Sequence, residues 1–172
     1  EPNGWFRNCD NSYPRNNEPL THTIGYTTQG LLECYHSLGD EEIFKCVEKP
    51  LKALLHRAEV HGFPLGGRYD SNWKPTVSST CVTGNAQIAL CWFDMHKITG
   101  DNRYLNAALK MNDYQKSIQL RCSYPEVNGG FSGSHPFWGD YDGGMLQSWP
   151  VKYQLDAYLI ELKVRAELGE KV

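Results

Sequence analysis

A repeat of about 63 residues is the feature that most limits what this chain can fold into. Gly4, Gly67 and Gly130 each lie in a short segment that combines glycine with aromatic residues, and 63 residues separate each from the next. A second marker, a Gly-Asp pair, occurs at residues 39–40 and 100–101, with a spacing of 61. Glycine is suited to end one helix, and aspartate to cap the next. Two markers with nearly one period predict a chain of repeated helical hairpins.

Hydrophobic periodicity agrees with this division and predicts five helices. The first, third and fifth cover about residues 23–38, 83–99 and 147–168, while Asp40 and Asp101 cap the second and fourth. Pro50 falls inside the second helix and predicts a kink or a break there. The third helix is apolar on most sides, which is typical of a helix that is buried on most sides. The residues expected to face the core on the first and last helices are Ile24, Leu31, Tyr35, Leu38, Val151, Leu155, Tyr158, Leu159 and Leu162.

The chain is therefore predicted to be one all-α domain that spans residues 1–172. Repeat 1 covers about residues 1–62, repeat 2 about residues 63–125, and a partial repeat 3 about residues 126–172. The first helix of each hairpin is the more apolar one, which is the alternation of an α/α toroid whose inner helices are surrounded by outer helices. The long Gly-aromatic loops would then lie on one face, at the mouth of about half a ring.

The residues of these turns resemble the α/α-toroid superfamily, which includes the six-hairpin carbohydrate enzymes and the repeats of terpenoid cyclases and protein prenyltransferases. Gly129-Gly130-Phe131 is similar to the glycine-aromatic turn of the prenyltransferase-type repeat, and residues 22–26 and 83–87 are similar to segments of bacterial toroid proteins near polysaccharide pathways. The Asp-rich motif of terpenoid cyclases and a clear prenyltransferase zinc site are absent. Because the ring is incomplete, the resemblance implies that the remainder of a ring or self-association covers its apolar edges.

The composition argues against two classes of partner, nucleic acids and membranes. The net charge is −3 with both signs interspersed, which argues against nucleic acid as a ligand, and the apolar runs are too short to predict a membrane span. The six cysteines form no CxxC pair, which argues against a zinc finger, and neither a metal nor another cofactor is predicted. Cys34, Cys46 and Cys91 lie in apolar helical patterns and are predicted to be buried free thiols, which slightly favours a cytoplasmic location.

Residues 128–144 are the segment richest in site chemistry. Their seventeen positions hold six glycines, four aromatic residues, two aspartates and a histidine. Clustered glycine and proline interrupt regular structure, and glycine lets a backbone approach a ligand closely. We therefore expect residues 128–144 to form a long loop, which we call the third loop, that carries part of a binding or catalytic site.

The other candidates are polar residues at or just before the starts of the inner helices, where free backbone N–H groups face the predicted mouth. Abstraction of a proton next to a carboxylate needs a base, for which His22 and Tyr26 are suited, and a group that holds the carboxylate. A hydrolase would instead use carboxylates as acid and base. The predicted catalytic residues are His22, Tyr26, His135, Asp140 and Asp142. The predicted substrate-binding residues are Arg68, Asp70, Trp73, Asn85, Gln87, Trp138 and Trp149.

Structural roles compete with each of these assignments. His22 could simply cap the first helix, and Asn85 and Gln87 could satisfy backbone groups of neighbouring loops. The two aspartates of the third loop are also common turn residues. Aromatic residues at a concave mouth suit sugar stacking, but they serve equally well in packing.

Three functions follow from this pattern. The first is a carbohydrate-active domain that binds or processes a glycan or uronate as a lyase, an epimerase or a hydrolase. The second is an isoprenoid-binding toroid with an aromatic-lined cavity. The third is a non-catalytic interaction module that is a fragment of a larger protein. Trp and carboxylate side chains in one pocket would favour the first, a deep apolar pocket the second, and a mouth filled by its own side chains the third.

Overall fold

The computed structural model describes residues 1–10 and 15–169. This part of the chain is mainly α-helical, as predicted. Its helices are α1 (Thr21–Leu38), α2 (Glu41–His61), α3 (Val82–Thr99), α4 (Asn102–Ile118) and α5 (Ser148–Glu167). Four two-residue strands form two small antiparallel pairs, β1 (Thr80–Cys81) with β3 (Ser134–His135) and β2 (Phe131–Ser132) with β4 (Leu146–Gln147).

The two Gly-Asp turns have the predicted capping roles. Gly39 and Gly100 both end their helices in the left-handed conformation, with φ values of 66° and 72°. The Asp40 side chain accepts a hydrogen bond from Glu42 N at 2.8 Å, and the Asp101 side chain accepts one from Arg103 N at 2.9 Å. The α1–α2 and α3–α4 hairpins predicted from these pairs are thus confirmed. The larger division into toroid repeats stays a prediction.

Helix α3 lies at the centre and packs against α1, α4 and α5. Thirteen of its eighteen residues are buried, which confirms the prediction of a helix enclosed on most sides. Contacts between α1 and α3 advance in the same direction along both helices, from His22 with Gln87 to His36 with Asp94. The N-terminal ends of α1 and α3 therefore lie together. Tyr153, in the first turns of α5, joins them through its ring contact with His22.

Two details differ from the prediction. Helix α2 continues through Pro50 without a break. The buried side of α1 includes Ile24, Thr28 and Leu32, whereas Leu38 is exposed. A threonine can lie in a helix contact when its hydroxyl finds a hydrogen-bond partner within its own helix. The Thr28 hydroxyl does so, because it donates to the Ile24 carbonyl oxygen at 3.0 Å. Ile24 is therefore buried as predicted and Leu38 is not, and the predicted apolar stripe omitted Thr28 and Leu32.

The packing of α5 is opposite to the predicted one. Its exposed face carries the aliphatic residues expected inside, and Leu155 is 56% exposed. Its buried face consists of Tyr153, Gln154, Ala157, Glu161 and Val164, with Pro150 in the first turn. Polar pairs hold this face, since Asn112 donates to Glu161 Oε2 at 2.8 Å and Gln154 donates to Asn112 Oδ1 at 3.1 Å. We call the exposed aliphatic side chains Val151, Leu155, Leu159 and Leu162 the α5 stripe.

All six cysteines are free thiols. The prediction that Cys34 and Cys46 are buried is wrong, because both are exposed, while Cys91 is buried as expected. None of the helices in the described residues has the length and apolarity needed to cross a membrane.

Candidate functional site

A cavity of about 450 Å³ opens at the N-terminal end of α1. We call it the mouth cavity. Its lining combines residues of α1 and the residue before it, of the loop before β1, of the loop between β3 and β4, and of the first turn of α5. These residues are Leu20, His22, Thr23, Tyr26, Arg68, Asp140, Tyr141, Asp142 and Trp149. Six of the twelve residues predicted for the site meet here, namely His22, Tyr26, Arg68, Asp140, Asp142 and Trp149.

Backbone hydrogen bonds bring the two loops to this place. Thr21 N donates to the Gly67 carbonyl oxygen at 2.9 Å, and Val82 N donates to the Gly133 carbonyl oxygen at 2.9 Å. Asp140 N donates to Ser79 Oγ at 3.0 Å. The N-terminal residues of α1 and α3 are thereby tied to the loops around Gly67 and Gly133. The segment around Gly4 lies elsewhere, against α2, where a Cβ atom at position 4 would be 2.5 Å from Pro50 N.

Two helical glycines let α1 and α3 approach each other beneath the cavity. A Cβ atom at Gly84 would lie 2.5 Å from His22 N, and one at Gly25 would lie 2.8 Å from the Gln87 Cβ atom. Real Cβ atoms do not come this close to backbone atoms. Glycine at these positions is unfavourable for the isolated helix, so its structural benefit is the short distance between the two helices.

His22 lies at the floor of the cavity and is mostly buried. Its Nδ1 atom is 2.5 Å from the Oε1 atom of Gln87 on α3. Burial lowers the pKa of His22, while the Gln87 hydrogen bond and the charge of Asp142 oppose this change. The net pKa lies below its ordinary value, so the imidazole is neutral at pH 7.

Arg68 is the buried centre of an ionic network on one wall. Its Nε atom donates to Asp140 Oδ2 at 2.6 Å, and its Nη1 atom donates to Asp10 Oδ2 at 3.0 Å and to the Glu18 carbonyl oxygen at 2.7 Å. Arg15 donates to the other oxygen of Asp140 at 2.6 Å. Burial raises the pKa of Asp140, but the hydrogen bonds from Arg68 and Arg15 outweigh it, and the pKa is lowered. The network holds Asp140 ionised and fixes the third loop to the loop before β1.

Aromatic rings form the rest of the lining. The rings of His22 and Tyr26 have centroids 4.5 Å apart, and those of His22 and Tyr141 lie 5.6 Å apart. Burial raises the pKa of Tyr141 to about 12, so its hydroxyl stays protonated. Tyr26 and Trp149 are about half-exposed and offer surface to a ligand.

Asp142 supplies the carboxylate of the cavity that is set apart from the Arg68 network. Its backbone has a φ of 44°, a left-handed conformation that aspartate tolerates better than most residues. Its Oδ2 atom accepts a hydrogen bond from Gln147 Nε2 at 2.5 Å. A neutral amide is therefore its hydrogen-bonding partner, in contrast to the two guanidinium groups that hold Asp140.

Three of the remaining predicted residues have structural roles, because they bond to nearby backbone groups outside the cavity. Asn85 is fully buried and bonds to Leu65 N, Thr80 Oγ1 and the Cys81 carbonyl oxygen. The Asp70 carboxylate accepts bonds from the backbone N–H groups of residues 72 and 74, both at 2.9 Å. Trp73 is buried in the core and donates its indole N–H to the Asn3 carbonyl oxygen at 3.1 Å. None of the three lines the mouth cavity.

The other three also lie outside the cavity lining. Gln87 contacts the site through His22. His135 is exposed on β3, and its Nδ1 atom lies 2.8 Å from the Tyr114 hydroxyl. Trp138 belongs to the third loop and is 78% exposed. An indole that is so exposed and does not line the cavity is a useful control for Trp149.

Sequence reasoning missed Tyr141, Tyr153 and Arg15. Tyr141 lies between two predicted residues and could have been found by treating the loop as a continuous lining. Tyr153 had no such signal, because its helix was assigned the opposite buried face. Arg15 was indistinguishable from other charged residues of a polar segment.

The arrangement offers a neutral imidazole, a carboxylate, several hydroxyl groups and exposed aromatic faces, a set suited to proton transfer and to stacking. Within the described residues, no cluster of three or more His, Cys, Asp or Glu side chains is placed to hold a metal ion. Comparison with protein-family models, with characterised proteins and with solved structures found no match to this chain.

Proposed function

We propose that the chain is a carbohydrate-active domain of the α/α-toroid type that binds a neutral glycan in the mouth cavity. One observation carries the proposal. The half-exposed faces of Trp149 and Tyr26 line the same cavity as the neutral His22 and the Asp142 carboxylate. Flat aromatic faces stack on the apolar faces of sugar rings, while the polar groups bind hydroxyls.

The charges favour a neutral sugar over a uronate. Arg68, the arginine of the cavity lining, and the nearby Arg15 are already paired with Asp140. Asp142 has an amide as its hydrogen-bonding partner and adds negative charge to the lining. A uronate carboxylate would be repelled by this charge, whereas hydroxyl groups can donate hydrogen bonds to it. Of the reactions predicted from the sequence, hydrolysis fits this balance better than a lyase or epimerase reaction at a uronate.

In such a reaction, His22 and Asp142 are the groups suited to proton transfer. A neutral imidazole can accept a proton near pH 7. A carboxylate next to it can stabilise the positive charge that develops on the imidazole or on the sugar ring. Tyr26 and Tyr141 contribute hydroxyl groups that can donate hydrogen bonds to sugar oxygens. The walls are polar, which makes an isoprenoid chain a poorer ligand.

A matched pair of tryptophan variants tests the proposal. Neutral oligosaccharides, uronate oligosaccharides and prenyl diphosphates would be screened by thermal shift, and hits measured by calorimetry. A neutral oligosaccharide is expected to bind, and Trp149→Ala to weaken it at least tenfold, about 1.4 kcal/mol. Trp138→Ala removes an exposed indole outside the cavity and should leave the affinity unchanged. Hydrolysis would be followed by the release of reducing ends from the bound sugar.

Other results would assign the cavity differently. Binding of uronates with higher affinity than neutral sugars would overturn the charge argument. Binding of prenyl diphosphates alone would support the isoprenoid function. Equal losses in the Trp149→Ala and Trp138→Ala variants would show that the mouth cavity is not the sugar site.

The proposal includes a partner for the α5 stripe. In the α1–α2 and α3–α4 hairpins, a second helix covers the first. Among the described residues, α5 has no corresponding helix, and its aliphatic stripe is exposed. Further hairpins of a ring, or a second copy of the chain, would bury this stripe.

A further inference from the structure

Gln87 lies behind His22, on the side away from the mouth cavity. Its side chain is fully buried and does not belong to the cavity lining. Its Oε1 atom is 2.5 Å from His22 Nδ1. A residue in this position does not contact a ligand in the cavity and can influence it only by its hydrogen bond to His22. The sequence-based assignment of Gln87 as a substrate-binding residue therefore has a more specific alternative.

Gly25 makes the contact between Gln87 and His22 possible. A Cβ atom at position 25 would lie 2.8 Å from the Gln87 Cβ atom and 2.9 Å from its Oε1 atom. The Gln87 Cβ atom is fixed by the α3 backbone and cannot move aside easily. Glycine inside a helix is unfavourable compared with alanine, yet here it leaves a channel along α1 for the Gln87 side chain. Gly25 on α1 and Gln87 on α3 thus together place the Oε1 atom of Gln87 beside the Nδ1 atom of His22.

We infer that Gln87 is a positioning residue that holds His22 in the tautomer with the proton on Nδ1. An amide oxygen can only accept a hydrogen bond, so the ring nitrogen that faces it must be the donor. In a neutral imidazole the other nitrogen, Nε2, then carries the lone pair. Since His22 lines the mouth cavity, this tautomer gives the cavity a proton acceptor. The role in catalysis rests on the proposed function, whereas the tautomer itself does not.

Several other groups surround His22 and bear on its titration. Tyr26 on α1, Tyr141 in the third loop and Tyr153 on α5 place their rings against the imidazole. The Cys81 thiol accepts a hydrogen bond from the His22 backbone, and burial raises its pKa to about 12, so it is neutral. The Asp142 charge favours a protonated imidazole. Gln87 is the group hydrogen-bonded to a ring nitrogen and therefore the one that distinguishes the two nitrogens.

The first test is a measurement on the unaltered protein without any sugar. Long-range ¹H–¹⁵N correlation spectra distinguish an imidazole that is protonated at Nδ1 from one protonated at Nε2. Spectra of the His22→Gln variant assign the signals. At a pH above the titration midpoint, the His22 spectrum should show the Nδ1–H form. A His22 ring protonated mainly at Nε2 would overturn the inference, and this result requires no Gln87 variant to fold.

Variants of Gln87 supply the second test. Gln87→Met keeps the length of the side chain but replaces the amide oxygen by a thioether, which is only a weak acceptor, so His22 should change to a mixture of tautomers. Gln87→Glu places a carboxylate against Nδ1 and should raise the His22 titration midpoint by about one pH unit or more. Gln115→Met is the matched control, because Gln115 is also fully buried and donates to a backbone carbonyl, that of Val82. The control should lower stability and leave the His22 spectrum unchanged.

These results separate this inference from the proposed function. The Nδ1–H form in a protein that binds no sugar would support the positioning role and contradict the glycan site. A sugar-binding protein whose His22 is protonated at Nε2 would do the reverse. Spectra that stay the same in Gln87→Met and Gln87→Glu would show that Gln87 is only a packing residue.

Discussion

Replacing Arg68 by methionine tests whether the buried ionic network holds the mouth cavity together. The Arg68 and Asp10 side chains are 6% and 0% exposed, and Asp140 is 21% exposed. Methionine fills a similar space but leaves both carboxylates without the guanidinium between them. Removing one partner of a buried ion pair costs roughly 3–5 kcal/mol, because the remaining charge stays buried. For a domain of this size, each kcal/mol shifts the melting temperature by about 2–4 °C, so a fall of about 6–20 °C is expected.

The assay is thermal and urea unfolding of Arg68→Met beside a control. Arg103→Met removes a cation from a pair with Asp101 in which the arginine is 62% exposed. Such surface pairs contribute little to stability. The double variant Arg68→Met/Asp10→Asn should recover part of the loss, since it removes the charge of the fully buried carboxylate, whereas Asp140 keeps its pair with Arg15. Equal losses in Arg68→Met and Arg103→Met, or no recovery in the double variant, would refute the argument from burial.

Three further predictions concern the acid response, the helix contact and the exposed stripe. Because the pKa of Asp140 is lowered in the folded protein, its ionised form stabilises the fold fully above roughly pH 4, the pKa in the unfolded chain, and this contribution is lost as the pH falls through the folded pKa. The free energy of unfolding, measured against pH, should therefore fall less at acid pH in Asp140→Asn than in the unaltered protein. Gly84→Ala should cost about 1–3 kcal/mol by overpacking the α1 backbone, whereas Gly30→Ala, with nothing within 4 Å, should be neutral or stabilising in urea unfolding. Leu159→Glu should abolish any concentration-dependent association seen by sedimentation, and an unchanged profile would show that the α5 stripe is not the contact.

The hairpins could be predicted because their signals are local. A glycine that ends a helix and an aspartate that caps the next act within a few residues, and Gly39, Asp40, Gly100 and Asp101 have the expected roles. The buried face of α5 could not be predicted in the same way. Glu161 lies inside because Lys116, Arg165 and Asn112 bond to it. Hydrophobic periodicity does not represent a polar side chain whose partners come from another helix.

The candidate site shows the same difference between local and long-range information. His22 and Tyr26 were placed by their position at a helix start, and Asp140 and Asp142 by the composition of their loop. Asp70 has equally suitable chemistry, yet its carboxylate caps its own turn. The sequence around each aspartate does not show that Asp140, and not Asp70, is the one that lines the cavity. The difference is Arg68, which lies 72 residues from Asp140 and binds it directly.

The position of the mouth cavity follows from the close approach of α1 and α3. Gly25 and Gly84 bring the two helices together at their N-terminal ends, and the contact between Gln87 and His22 depends on that distance. Gly25 makes the isolated helix α1 less stable, and Gly84 does the same for α3. Helix α1 also contains Gly30, at which an added Cβ atom would have no neighbour within 4 Å. A chain selected for stability alone would retain none of these costs without a compensating contact. Position 30 is therefore where alanine should be tolerated, whereas positions 25 and 84 should tolerate it only if the floor of the cavity, and His22 with it, moves.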